Sequence, residues 1–353
     1  MSDFLLYGAY GYTGRLITRM AADHGLRPLL SGRNAEKLEA MHHEFGYDYR
    51  AVDLNNRTEL DDLLQDFTVV LHAAGPFEHT AEPMMEACLR TGTHYLDITG
   101  EIPVFARAAK MGPEAQRAGI MLMPGVGFDV VPTDCMAAYL KQQMKAATEL
   151  VLAFAWKGGG ISRGTAKTML GGAGNGGAIR EHGAIKKVKA AHETRDFPFT
   201  EQISLRAVTI PWGDVFTAYF TTGIPNIKTF FAVPPKQLKT MERSNWLGPI
   251  LQLGPVQRFL QKKIEDRPAG PDDAQRAEAE TYIYGEVKDV SGRTVAARMR
   301  TPEGYTLTGI TSLMIVRRVL DGQAKPGYQT PAGLFGADFI LEVEGTERED
   351  ILV

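Results

Sequence analysis

Seven residues near the N-terminus, Gly8-Ala9-Tyr10-Gly11-Tyr12-Thr13-Gly14, restrict the fold of this chain more than any other stretch. They follow an apolar run at residues 4–7 and lead into an amphipathic segment at 13–22, so the glycines mark a strand-to-helix turn. Glycine there permits positive φ and lets backbone amides approach a ligand closely. The helix that follows points free N–H groups and its positive dipole end out of the turn, which suits a diphosphate. A G-x-x-G-x-x-G spacing alone is a weak signal; strand, turn and helix in this order make it a dinucleotide-binding loop.

The next hundred residues repeat the alternation. Strands are expected at 4–7, 28–31, 47–52, 68–73, 94–98 and 120–123, and helices at 13–22, 35–45, 58–64, 80–91 and 102–117. Strand–helix alternation implies a parallel sheet with right-handed crossovers, and six strands fit a doubly wound Rossmann domain. Beyond a helix at 130–145 the pattern changes to β-rich runs at 150–156, 204–210, 215–220 and 229–233. Two more, 281–288 and 294–300, are joined by Asp289-Val290-Ser291-Gly292, a hairpin signal. Strands without intervening helices predict a second, α+β domain with a mainly antiparallel sheet. The 353 residues are enough for two cores. The expected division is 1–128 as the cofactor-binding Rossmann domain and 129–320, ending in a helix at 306–320, as the substrate domain. Pattern leaves open whether 321–353 packs back on the first domain.

Bulk properties exclude several classes. A hydrophobic fraction of 44% with 23% charged residues is that of a globular protein, and a net charge of −3 gives no electrostatic pull toward nucleic acid. Two cysteines, Cys88 and Cys135, suggest neither a disulfide framework nor a metal site. They fit a reducing cytoplasm, and no secretory signal precedes the first strand. No apolar run reaches the ~20 residues a spanning helix needs. The segment 246–260 is apolar but broken by Gly248, Pro249, Gly254 and Pro255, and is read as a packed segment or lid, with peripheral lipid contact as the alternative.

The candidate cofactor residues follow from the fold. Gly8, Tyr10, Gly11, Tyr12, Thr13 and Gly14 form the phosphate loop. The second strand ends Ser31-Gly32-Arg33-Asn34, without the acidic residue that NAD-binding domains use on the ribose hydroxyls. Arg33, with Lys37 one turn on, offers cations for a 2′-phosphate, so the expected cofactor is NADP. Asn34 is either a neighbour of that phosphate or merely a helix cap. Asp53 is a candidate for the adenine amine. Ala74, Gly75, Pro76 and Phe77 lie beyond the fourth strand, where small residues allow close approach to ribose and nicotinamide.

At this point the residues resemble the saccharopine dehydrogenase-like oxidoreductases, including the branch called trans-acting enoyl reductases. The likeness runs through Gly8 to Gly14, Ala74-Gly75-Pro76-Phe77, Gly92-Thr93-His94-Tyr95-Leu96-Asp97-Ile98-Thr99-Gly100-Glu101 and Gly125-Val126-Gly127-Phe128-Asp129-Val130-Val131-Pro132. It continues in Ser162-Arg163-Gly164-Thr165 and Tyr328-Gln329-Thr330-Pro331-Ala332. The resemblance implies a Rossmann domain followed by an α/β domain, with substrate and nicotinamide meeting between them. The Asp129 segment resembles the stretch that closes the nicotinamide site in saccharopine reductases. There Pro-Gly follows; here Val130-Val131-Pro132 does, as in the enoyl-reductase-like branch, which argues against saccharopine as substrate. Arginines for substrate carboxylates are nominated only as Arg163 and Arg180, with Thr165 beside the first.

A reductase brings a hydride to an electrophilic carbon and supplies a proton nearby. The proton-handling candidates are Asp129 and Asp97, then Glu101 and Tyr12; Asp97 and Asp129 could equally be a brace and a helix cap. His72 and His94 are read as core histidines. The glycine-rich run 171–177 is a mobile loop or a plain turn, and Lys186, Lys187, Lys189 and Arg195 read as a solvated helix face. The expected reaction is reduction of a C=C, C=O or C=N bond of a small or acyl-type substrate, with homodimer formation left open. The rival is a non-catalytic NADP-binding scaffold or redox sensor on a lipid surface. Gly160-Ile161-Ser162-Arg163-Gly164 fits a hydrolase elbow, but the acid and histidine order after Ser162 does not complete a triad. Tyr284 and Lys288 have short-chain dehydrogenase spacing, yet four residues along a strand span roughly 13 Å, too far for that dyad.

Overall fold

The computed structural model describes residues 2–172, 174–241, 245 and 252–351. The chain divides into two compact units, Met1–Val131 with Tyr305–Leu334, and Pro132–Gly304 with Phe335–Val353.

The first unit contains six alternating strands and five helices: β1 (Phe4–Tyr7), α1 (Tyr12–Met20), β2 (Pro28–Gly32), α2 (Ala35–Phe45), β3 (Tyr49–Ala51), α3 (Arg57–Leu64), β4 (Val69–His72), α4 (Phe77–Thr91), β5 (His94–Asp97), α5 (Ile102–Ala118) and β6 (Met121–Met123). All pair in parallel, in the order β6-β5-β4-β1-β2-β3, which is the doubly wound Rossmann order. A seventh strand, Gly327–Tyr328, pairs in parallel with β6 at the sheet edge.

Side chains alternate across a sheet, so both faces must be covered. Leu5, Tyr7, Val70, Tyr95 and Leu122 form one buried cluster with Leu60, Leu63 and Leu64 of α3, Met84, Met85 and Cys88 of α4, and Val104 and Ala108 of α5. The alternate residues Phe4, Leu6, Val69, Leu71 and Leu96 are equally buried. The helix Gly304–Leu320 packs against α1 so tightly that a Cβ on Gly309 would lie 2.5 Å from Met20 Sδ. Its Arg317 Nη2 donates to the carbonyls of His24, 3.0 Å, and Gly25, 2.7 Å, just beyond α1.

The second unit begins with α6 (Val131–Gln143) and β7 (Glu149–Lys157), then α7 (Arg163–Gly172), β8 (Gly177–Glu181), β9 (Ala184–Val188), β10 (Thr194–Pro198), β11 (Ser204–Thr209), α8 (Asp214–Thr222), β12 (Asn226–Ala232), β13 (Glu280–Lys288) and β14 (Thr294–Pro302). Its main sheet runs β10-β11-β12-β7-β13-β14 and ends on the strand Glu347–Ile351. Among the described residues only β7 and β12 pair in parallel, and every other pairing of this sheet is antiparallel. The β13–β14 hairpin closes as the sequence predicts, with Asp289 Oδ1 accepting from the backbone N–H groups of Ser291 and Arg293.

Local pattern fails in three places here. Residues 215–220, expected as a strand, lie in α8, whose C-terminus is set by Gly223 at φ +69 with its N–H on the Tyr219 carbonyl. Aromatic and β-branched content favoured a strand, but Val215, Thr217 and Ala218 at helical spacing are what the sheet buries. The glycine-rich stretch 171–177 is no long loop, since α7 runs through Gly172 and β8 starts at Gly177. Lys186 and Lys187 stand on an exposed strand, β9, rather than a helix face.

The return of the chain also redraws the expected division. The helix Gly304–Leu320 and the strand Gly327–Tyr328 complete the first unit, while Glu347–Ile351 completes the second sheet. Of the segment 246–260, residues 246–251 lie outside the described residues.

Candidate functional site

The loop Gly8–Gly14 is built by close backbone approach. Gly8 has φ +88, and a Cβ there would lie 2.6 Å from the backbone nitrogen of Ala74 and 2.7 Å from the carbonyl carbon of Ala73. A Cβ on Gly14 would lie 2.7 Å from the Ala9 carbonyl oxygen. The turn is closed by the Gly11 N–H on the Gly8 carbonyl at 3.0 Å. Gly11 is the N-cap of α1, no side chain caps that helix, and its first turn holds no acidic residue. A cradle that side chains would fill, opening on an uncapped helix terminus, fits the diphosphate of a dinucleotide.

At the tip of β2, Arg33 is exposed and, among the described residues, its guanidinium has no carboxylate partner. Lys37 Nζ stands 5.5 Å from the centre of the Tyr10 ring, and that ring lies against Gly32. Asn34 is committed elsewhere: its Oδ1 accepts from Lys37 N–H at 2.9 Å and caps α2. Asp53 is exposed, with Oδ1 accepting from both nitrogens of Asn55 at 2.8 Å.

The loop after β4 carries Ala74, Gly75 and Pro76, the last being the N-cap of α4. Phe77 is buried edge-on against His72. The carboxylate of Glu101 caps α4 from a distance, Oε1 accepting from Phe77 N–H at 3.1 Å and Oε2 from Glu78 N–H at 2.7 Å. His72 is a core histidine. It sits among Tyr7, Phe77 and Tyr95, its Nε2 is 3.1 Å from Thr80 Oγ1, and burial pushes its pKa down to about 3. Thr80 in turn donates to the Ala74 carbonyl at 2.7 Å, which ties α4 to the loop. His94 is also structural, accepting from Met121 N–H at 2.9 Å.

Asp97 ends β5, and Asp129 lies on the loop between β6 and α6. Asp97 is fully buried, its Oδ2 accepting from Tyr95 Oη at 2.6 Å and its Oδ1 from Thr99 N–H and Gly125 N–H, each at 2.9 Å. Asp129 is half-buried, and among the described residues no hydrogen bond or ion pair reaches its carboxyl group. Desolvation pushes both carboxyl groups up to about 7; Glu101 adds to the shift at Asp129. The loop under Asp129 is held at several points. Thr311 Oγ1 donates to the Val126 carbonyl at 2.8 Å, Thr308 Oγ1 accepts from Phe128 N–H at 3.0 Å, and Val126 N–H donates to the Asp97 carbonyl at 2.8 Å. Gly100 leaves room for the carboxyl group, since a Cβ there would lie 2.6 Å from Asp129 Oδ2.

Residues 4–123 match the family model described as saccharopine dehydrogenase NADP binding domain. Over those residues the chain is similar to that family. A saccharopine dehydrogenase-like oxidoreductase of Rattus norvegicus is 28% identical over 213 residues, covering 53% of this chain and 49% of that protein. A trans-acting enoyl reductase of Mycobacterium leprae is 31% identical over 140 residues, covering 37% of this chain and 34% of that protein. The chain thus matches about half the length of the first and a third of the second. Among solved structures, the apo saccharopine dehydrogenase (L-Glu forming) of Saccharomyces cerevisiae matches with a TM-score of 0.67 over 100% of both chains at 14% identity, a likeness of fold. The resemblance read from the motifs is thereby borne out.

The second unit uses its nominated arginines on itself. Arg180 is buried, donating from Nε to the Val215 carbonyl at 2.8 Å and from Nη1 to the Gly183 carbonyl at 2.5 Å, with its guanidinium 4.2 Å from the centre of the Tyr219 ring. Arg163 is exposed, with Nη1 donating to the Glu265 carbonyl at 3.3 Å. Ser162 caps α7, its Oγ accepting from Thr165 N–H at 3.1 Å, which is a helix start rather than a nucleophile elbow. Tyr284 and Lys288 both lie in β13. Arg195 pairs with Glu286. Among the described residues no cluster of His, Cys, Asp or Glu is set to hold a metal ion, and no helix is long and apolar enough to cross a membrane.

Three features escaped the sequence reading. The cap of Glu101 on α4 joins residues more than twenty positions apart, and Thr308 and Thr311 brace a loop about 180 positions upstream. No local pattern carries either. Gly100, in contrast, was visible as a glycine directly before an acidic residue, and only its neighbour Asp129 was not.

Proposed function

We propose that this chain is an NADP-dependent oxidoreductase that reduces a C=C, C=O or C=N bond of a small or acyl-type substrate, the first unit holding the cofactor. The observation that carries this is the Asp129 carboxyl group: half-buried, raised to about 7, without a hydrogen-bond partner among the described residues, on a loop held from several sides in the same unit as the glycine cradle. A group with its pKa near the working pH and a free proton is suited to general acid catalysis.

When bound, NADPH supplies the hydride. The residues of the chain do the rest. Gly8, Gly11 and Gly14, with Tyr12 and Thr13 on the first turn of α1, seat the diphosphate. Arg33 grips the 2′-phosphate through charge-assisted hydrogen bonds, with Lys37 adding positive charge. Tyr10 walls the adenosine side, and Asp53 faces the adenine. Ala74, Gly75 and Pro76 let the ribose and nicotinamide lie close to the backbone, in a loop set by Thr80 and Glu101. Asp129 Oδ–H gives its proton to the substrate atom that receives the electron pair. One hydride and one proton reduce one double bond, and the resulting carboxylate regains its proton from solvent. Asp97 does not exchange protons; its three hydrogen bonds position the Asp129 loop. The two cysteines, both free and buried, suit a reducing cytoplasm.

The test is NADPH consumption by the full chain with unsaturated carbonyl and imine substrates, compared with Asp129→Asn. The variant should bind NADPH as tightly as the parent and turn over far more slowly. A parent protein that binds NADPH and reduces nothing would favour the scaffold reading instead.

A further inference from the structure

One helix of the second unit gives no side chain fully to the interior. The helix Gly254–Glu265 has no buried residue. Val256, Leu260 and Ile264, one turn apart, are half-buried and make its inner stripe. Gln257 shares that side and donates from Nε2 to the Leu170 carbonyl of α7 at 3.5 Å. At the C-terminal end Lys167 Nζ donates to Glu265 Oε1 at 2.9 Å, and Arg163 Nη1 to the Glu265 carbonyl at 3.3 Å, so α7 holds the helix at both ends.

The outward side presents Arg258, Phe259, Lys262 and Lys263, all exposed. Phe259 is 59% exposed and Leu253, the N-cap, 54%; among the large apolar side chains described only Val290 is more exposed than these two. Lys263 Nζ stands 4.8 Å from the centre of the Phe259 ring. Among the described residues Arg258, Lys262 and Lys263 have no carboxylate partner, whereas Arg206 and Lys228 of the same unit pair with Asp196 and Glu193. Glu265 is matched by Lys167, and the C-cap Asp266 is followed by Arg267. The outward side is therefore positive around an open aromatic ring.

We infer that this face binds the surface of an anionic lipid bilayer, with Phe259 and Leu253 entering the headgroup boundary and Arg258, Lys262 and Lys263 meeting the phosphates. The inference stands apart from the reductase reading, which uses no residue of this helix. Twelve residues make a helix about 18 Å long, too short to cross a bilayer and long enough to lie along one. A second copy of this chain, docked through the same face about a two-fold axis, would set the three cations against themselves. A protein partner needs a complementary surface of about 800 Å² a side. A bilayer asks only for apolar groups that sink in and cations held beside them, and Lys and Arg stems lie along apolar surface while their heads reach phosphate.

The experiment is co-sedimentation of the full chain with vesicles of phosphatidylcholine alone and with about one-third phosphatidylserine. At about 0.1 M salt the anionic vesicles should bind roughly 100-fold more tightly, since each cation near the surface contributes about five-fold, and about 1 M salt should remove the difference. Lys262→Gln with Lys263→Gln should weaken binding to the anionic vesicles about 25-fold, and Lys262→Arg with Lys263→Arg should bind as the parent does. Phe259→Ala should weaken binding to both vesicles about 10-fold. Unchanged melting temperatures in these variants show that the losses belong to the face and not to folding. A parent chain that does not sediment with the anionic vesicles overturns the inference. So does binding that the lysine variants abolish but Phe259→Ala leaves untouched, or heparin capture without vesicle capture, either of which would make the face a site for polyanions at large.

Discussion

Asp97 ends β5 and Asp129 stands on the loop after the neighbouring β6, and desolvation lifts both carboxyl groups to about 7. Their oxygens do opposite things. Those of Asp97 accept three hydrogen bonds and knit two loops together, whereas those of Asp129 accept none among the described residues. The same contrast recurs at the tip of β2, where Arg33 is exposed and Asn34 is consumed as the cap of α2. A raised pKa or a charge does not by itself mark a working residue. What separates the pairs is whether the polar atoms are already spent on the protein, because a spent group holds shape and an open one can meet a ligand.

That contrast makes opposite predictions for rate and stability. Asp129→Asn should lower kcat/KM for reduction by roughly 10²–10⁴-fold, the range for removal of a general acid. In the parent, kcat/KM should fall as pH rises above about 7, where the acid loses its proton. The same variant should be more stable than the parent. A carboxyl group whose folded pKa lies above its unfolded value opposes folding only when ionised. The gain should therefore be full at pH 8, shrink as pH falls below 7 and vanish below about pH 4. Thermal melts across that range check the sign, and a variant less stable at pH 8 would place Asp129 among the spent groups.

Asp97→Ala should act in the opposite sense, costing about 3 kcal/mol or more because three buried donors lose their acceptor. Chemical denaturation reads this directly; an Asp97→Ala protein as stable as the parent but slow in turnover would invert the assignment of the two carboxyl groups. Arg33→Ala should cut the preference for NADPH over NADH by about 10–100-fold, the loss of charge-assisted contacts, with the melting temperature unchanged. Its neighbour supplies the smallest effect. Asn34→Ala should cost about 1 kcal/mol of stability and leave the cofactor preference alone, as loss of a helix cap does.

Where function depends on backbone, the sequence was readable. A position such as Gly8, which tolerates no Cβ beside Ala74, has to be glycine, so the cradle is written in the letters themselves. The alternation that builds the parallel sheet is equally local, because both faces of its central strands β1 and β4 are buried. Arg33 was legible as the missing acid at a known strand end. Arg180 shows the limit: its charge was visible, but the Val215 and Gly183 carbonyls and the Tyr219 ring that absorb it are tertiary neighbours. For the same reason residues 215–220 were read as a strand, and the short strands β8, β9 and β10 went unseen. Their identity depends on which partner they meet, not on their own pattern.

The route of the chain imposes an order of events on its synthesis. It passes from one unit to the other after Val131, after Gly304 and again after Leu334. The loop bearing Asp129 is translated early, yet Thr308 and Thr311, which fasten it, leave the ribosome roughly 180 residues later. A nascent chain can therefore complete its glycine cradle long before it can set its acid. Trimming the gene after the first six strands would keep the cradle and lose Thr308 and Thr311.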